Sequence, residues 1–136
     1  MKALQPYLNF DGNCREAMTF YHHALGGDFF IQSFADAKIP GPPGSENRTL
    51  HANIRRGNAV IMASDTMPEH PFTIGTNYHI NVDCDSREEL DTLVAALGAG
   101  GKVTMPPDDM FWGAYFAMLV DKFGVQWMFN FDQTQH

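Results

Sequence analysis

The chain has 136 residues, 44% of them hydrophobic and 12% aromatic, which suits one core-forming domain or two small fused halves and excludes a disordered chain. A formal charge of -7 with no run of Lys or Arg excludes a phosphate-neutralising surface, so no nucleic-acid partner is expected. No apolar run has the length of a signal-peptide core or a membrane span, so a cytoplasmic protein with no membrane partner is expected.

The first strand is expected over Gln5 to Phe10, with Leu8 and Phe10 on one face and Tyr7 and Asn9 on the other. Asp11-Gly12 turns the chain. Asn13 with Glu16 three residues on has the form of a capping box, and Met18, Tyr21, His22 and Leu25 recur at helical spacing before Gly26-Gly27. A helix over Cys14 to Leu25 follows from this. Asp28 to Ala35 is β-prone, and Asp36 to Arg48 is too rich in Pro and Gly for regular structure. Leu50 to Arg55 and Ala59 to Ser64 form a hairpin around Arg56-Gly57-Asn58. Residues 66–75, with Pro68 and Pro71, read as a connector.

After the connector the pattern restarts with a constant shift of 72 positions. Tyr7-Leu8-Asn9-Phe10-Asp11 maps onto His79-Ile80-Asn81-Val82-Asp83, Arg15-Glu16 onto Arg87-Glu88, and Ala24-Leu25-Gly26 onto Ala96-Leu97-Gly98. Asp85 takes the capping place of Asn13, and Leu90, Leu93, Val94 and Leu97 form the apolar stripe of a second helix. A short strand near Lys102 to Met105, a loop at Pro106 to Met110, and strands over Ala114 to Val120 and Val125 to Phe131 complete the half. The last two are joined by Asp121-Lys122-Phe123-Gly124, where Gly124 supplies a positive φ. Both halves therefore read βαβββ, over residues 4–65 and 76–132 of a single 1–136 domain of the α+β class.

A βαβββ unit has one helix to cover one face of its sheet, so the expected architecture is two tandem modules whose curved mixed sheets wrap a shared cleft. Alternation assigns Tyr7, Asn9, His51, Asn53, His79, Asn81, Gln126, Met128 and Asn130 to the uncovered faces. Trp112, ahead of Gly113, is a candidate to close over a flat or apolar ligand; the alternative is a core Trp. His79 and His51 read either as pocket groups, His51 able to act as acid or base near neutral pH, or as imidazoles satisfied by neighbouring strands. Cys14 and Cys84 lack metal-type spacing, and free thiols are expected.

The repeat resembles the vicinal oxygen chelate superfamily, which includes glyoxalase I and the extradiol dioxygenases. Tyr7-Leu8-Asn9-Phe10-Asp11-Gly12-Asn13-Cys14, Leu50-His51-Ala52-Asn53-Ile54, Met62-Ala63-Ser64-Asp65 and Asp121 to Met128 look like its PhnB-like branch. That resemblance implies a glyoxalase-like fold. In catalytic members it also implies a divalent metal held by one side chain from the first and last strands of each half. Those positions fall on Tyr7, Ile61 or Met62, His79 and Met128, of which only His79 is a good ligand. The resemblance thus implies a small-molecule-binding protein with a degenerate metal site, no assigned cofactor or metal ligand, and a homodimeric state. The alternative it implies is a glyoxalase-like isomerase, lyase or dioxygenase acting on a vicinal oxygen substrate through a weakly bound divalent metal at His79 and His51.

Overall fold

A computed structural model describes residues 1–133. The chain divides into two compact units, Met1–Thr73 and the part from Ile74 onward.

The first unit runs β1 (Tyr7–Phe10), α1 (Cys14–Leu25), β2 (Asp28–Ser33), β3 (Thr49–Arg56) and β4 (Ala59–Asp65). Its four strands are ordered β1-β4-β3-β2, with β1 parallel to β4 and the other pairs antiparallel. The second unit runs β5 (Ile80–Asp83), α2 (Arg87–Gly98), β6 (Lys102–Asp109), β7 (Ala114–Val120) and β8 (Gln126–Asp132), ordered β5-β8-β7-β6 with β5 parallel to β8. The two units therefore share one topology, an α+β arrangement of two βαβββ modules.

Each helix lies against one face of its own sheet. In the first unit Cys14, Ala17, Met18 and Tyr21 of α1 are buried over Ala52, Ile54, Ile61 and Ala63, while His22 and Leu25 of the expected stripe stay half-buried. In the second, Leu90, Leu93, Val94 and Leu97 of α2 are buried over Ala117, Leu119, Trp127 and Phe129. Each such leucine contributes about 2 kcal/mol by leaving water. Val125, Trp127 and Phe129 are buried and Gln126, Met128 and Asn130 half-buried, so the alternation in this stretch sorts the two faces as expected.

The helix starts differ from the sequence expectation. Asn13 makes no side-chain cap. Asp65, at the end of β4, supplies it: Oδ1 accepts from the backbone N–H of Gly12 at 2.8 Å and of Cys14 at 3.0 Å, and Oδ2 from that of Thr49 at 2.8 Å. A carboxylate at a helix N-terminus is also favoured by the helix dipole. In α2 the cap is Ser86, one residue beyond the expected Asp85. Its Oγ accepts from the Glu89 N–H at 3.0 Å, and Glu89 Oε1 accepts from the Asp85 N–H at 2.8 Å.

The stretch Pro106 to Asp109, expected as a loop, belongs to β6, whose pairing with β7 shifts register on both sides of Met105. This is an edge strand, where a missing N–H costs no ladder bond, so the prolines are tolerated at an irregularity. The β7–β8 turn is as expected: Gly124 has φ 85°, its N–H bonds to the Asp121 carbonyl at 3.0 Å, and the Asp121 N–H bonds to the Val125 carbonyl at 2.9 Å. Asp121 is buried, and Oδ1 accepts from the N–H groups of Phe123 and Val125 while Oδ2 accepts from Trp127 Nε1 at 2.9 Å.

Candidate functional site

With α1 on one side of the first sheet, the other side presents a row that crosses all four strands in register. Tyr7 lies opposite Met62, Met62 opposite Asn53, and Asn53 opposite Phe30. The neighbouring pairs Asn9 with Ser64 and His51 with Gln32 lie on the same face. None of these eight residues carries a formal charge with His51 neutral.

His51 links the row. Its Nδ1 lies 3.2 Å from the Tyr7 hydroxyl and its Nε2 lies 3.3 Å from the Asn53 amide nitrogen. The Tyr7 and Phe30 rings flank the imidazole, with centroids at 5.9 and 6.4 Å. Tyr7 keeps 45% and Phe30 49% of its surface exposed, so two aromatic rings stand open beside a fixed polar chain. Rings of this size ordinarily supply buried area, and their exposure together here marks the face.

The corresponding face of the second unit carries the row Asn81, Met128, Met118 and the row Asp83, Asn130, Phe116. Asn81 Nδ2 donates to Asp83 Oδ1 at 3.3 Å. Gln126 is engaged with the segment before β5: its side-chain nitrogen donates to the Tyr78 carbonyl at 2.5 Å, and its backbone N–H to the Tyr78 hydroxyl at 3.3 Å. His79 is exposed, just ahead of β5. Trp112 sits in the turn between β6 and β7, half exposed at 51%, with its ring edge-on to Phe116 at 5.7 Å and to Phe111 at 5.1 Å. It is therefore not a core residue.

The sequence reading did not assign Phe30, Phe116 and Met118 to these faces. Phe29-Phe30-Ile31 and Tyr115 to Leu119 are apolar at successive positions, so alternation gives them no orientation; the cross-strand register does. An open depression of about 740 Å³ lies at the start of α1, lined in part by Asn13, Arg15, Glu16 and Asp36. None of the ten candidate residues lines it, and its walls carry both signs of charge. Cys14 and Cys84 are buried free thiols, and burial pushes each up to about 12, which disfavours the thiolate that a nucleophilic role at neutral pH needs.

The family model of the glyoxalase/bleomycin resistance protein/dioxygenase superfamily matches residues 4–129. The chain belongs to that superfamily. It is 32% identical to protein YjdN of Escherichia coli over 97% of each chain. Among solved structures it is similar to protein PA1353 from Pseudomonas aeruginosa, at 40% identity and TM-score 0.85 over 96% of this chain and 99% of that one. It is also similar to the PhnB protein from Bacillus cereus, at 27% identity and TM-score 0.78 over 96% and 99%.

The side chains that this chain offers at the superfamily's metal positions do not fit a metal. In the first unit the pair is Tyr7 and Met62, a phenol and a thioether facing each other across β1 and β4. In the second it is His79 and Met128, and the continued β5–β8 register sets Gln126, not Met128, opposite His79. One imidazole without carboxylates falls short of the three or four donors that zinc or a harder cation takes. His51 does not make up the number, since both of its nitrogens are engaged. Among the described residues no three His, Cys, Asp or Glu side chains gather where they could hold a metal, and no helix is long and apolar enough to cross a membrane.

Proposed function

We propose that this protein binds a small, uncharged molecule on the helix-free face of the first sheet, with Tyr7, His51 and Asn53 as polar contacts and Phe30 and Met62 as apolar ones. The observation that carries this reading is the hydrogen-bonded chain Tyr7–His51–Asn53, whose imidazole is flanked by the half-exposed rings of Tyr7 and Phe30. Polar groups oriented by one another and set among apolar surface are the usual make-up of a ligand site. Membership of a superfamily of small-molecule binders supports it. Asn9 belongs to the same proposed site, and His79, Asn81, Trp112, Gln126 and Met128 are proposed as ligand contacts of the second unit.

The test is a thermal-shift screen of neutral aryl and alkyl carbonyl compounds against the wild type and His51→Ala. A compound present at about a hundred times its Kd stabilises by about 2.7 kcal/mol. The reading expects such shifts to vanish in His51→Ala, and shifts of equal size in both proteins contradict it. A symmetric homodimer is part of the same proposal, because each sheet has a helix on only one face. Sedimentation is expected to give twice the chain mass, and a monomer at micromolar concentration contradicts that part.

A further inference from the structure

The hydrogen bonds around His51 carry information about what the face selects. Neutral imidazole has one N–H and one bare nitrogen, and a neighbour that fixes either nitrogen fixes both. The Asn53 amide nitrogen can only donate, and it faces Nε2 at 3.3 Å. With the amide in this orientation, a neutral His51 keeps Nε2 bare and carries its proton on Nδ1, which lies 3.2 Å from the Tyr7 oxygen. Nδ1–H donates to that oxygen, so the Tyr7 hydroxyl proton is turned away from His51. With Tyr7 45% exposed, this proton has nothing on the imidazole to bond and is presented outward, on the face that carries Met62, the cross-strand neighbour of Tyr7, and Phe30, whose ring flanks His51.

We infer that Asn53 and His51 are positioning residues that fix the Tyr7 hydroxyl as a hydrogen-bond donor. The face then selects an uncharged ligand that carries a carbonyl-type oxygen acceptor beside a flat apolar group. This rests on the binding reading above and adds the direction of the hydrogen bond to it. Two features support the neutral class. The row Tyr7, Met62, Asn53, Phe30 has no charged member, and Arg55, farther along β3, has Asp28 as its cross-strand neighbour. An Asn53 amide turned the other way would reverse every donor, with Nε2–H donating to Asn53, Nδ1 accepting from Tyr7, and the face selecting a ligand donor instead.

The experiment uses the full chain labelled with ¹⁵N-histidine, at a pH where His51 is neutral. Long-range ¹H–¹⁵N spectra report which ring nitrogen bears the proton, and the same sample is titrated with acetophenone and with its isostere α-methylstyrene, which lacks the acceptor. The expected result is a His51 protonated on Nδ1, a loss of that tautomer's dominance in Asn53→Ala, and about tenfold tighter binding of acetophenone, the worth of one hydrogen bond. Tyr7→Phe is expected to erase the preference while leaving the tautomer in place. A proton on Nε2 overturns the inference and leaves the binding reading standing, as does a preference that survives in Tyr7→Phe. Failure of both compounds to perturb the His51 imidazole and amide resonances overturns the binding reading and the inference together.

Discussion

Asp121 shows how much of the second unit's hairpin one residue holds. Its carboxylate accepts from two turn N–H groups and from the indole N–H of Trp127, whose ring is buried and stacked on Phe129. Asp121→Ala leaves those donors without this acceptor in a buried setting, and the expected cost is about 3 kcal/mol in urea unfolding followed by Trp fluorescence. A loss below about 1 kcal/mol would show that solvent or a neighbour replaces the carboxylate. Asp65 has the corresponding duty in the first unit, tying the start of α1 to the start of β3. Its role is not legible in sequence, because its N–H partners lie 16 to 53 positions away. Asn13 attracts the capping assignment since it satisfies the local rule, and a long-range acceptor takes the place instead.

At the scale of elements, a glycine before the edge strand that follows each helix, β2 or β6, marks a close crossing of backbones. A Cβ on Gly27 would meet the Arg55 carbonyl ahead of β2, and a Cβ on Gly101 would meet the Val120 carbonyl ahead of β6. The same contact occurs at the same point of both modules, which explains why each helix is followed by glycines in the sequence. Gly101→Ala must push the start of β6 away from β7, and a loss of about 2 kcal/mol or more is expected, read as a lower urea midpoint. An unchanged midpoint would contradict the close approach. Elements with clean alternation or helical spacing, such as β8 and α2, are legible from sequence because one face is apolar and the other is not. The extent of β6 is not legible, since Pro106 and Pro107 signal a loop everywhere except on an irregular edge strand.

For the molecule as a whole, the repeat is the feature that the sequence states most clearly, because residue types and element order recur together. The two units have equivalent strand orders, each with one parallel pair between its first and last strands. The polar candidates of the first unit, Tyr7, Asn9, His51 and Asn53, are legible by alternation alone, but Phe30 and the mutual contacts are not. Nothing in the spacing of Tyr7, His51 and Asn53 says that one imidazole bridges the other two; the parallel β1–β4 pairing brings them together. The proposed binding of ligands on the face that α1 leaves uncovered rests on that junction. Amide chemical-shift mapping of the full chain, with a carbonyl compound from the thermal-shift screen, tests it most directly. The largest shifts are expected on Tyr7 to Asn9, His51 to Asn53 and Met62 to Ser64, while the exposed positions Arg15, Glu16 and His23 of α1 stay silent. Shifts concentrated on α1 and the depression at its start, with those three segments unmoved, would contradict it.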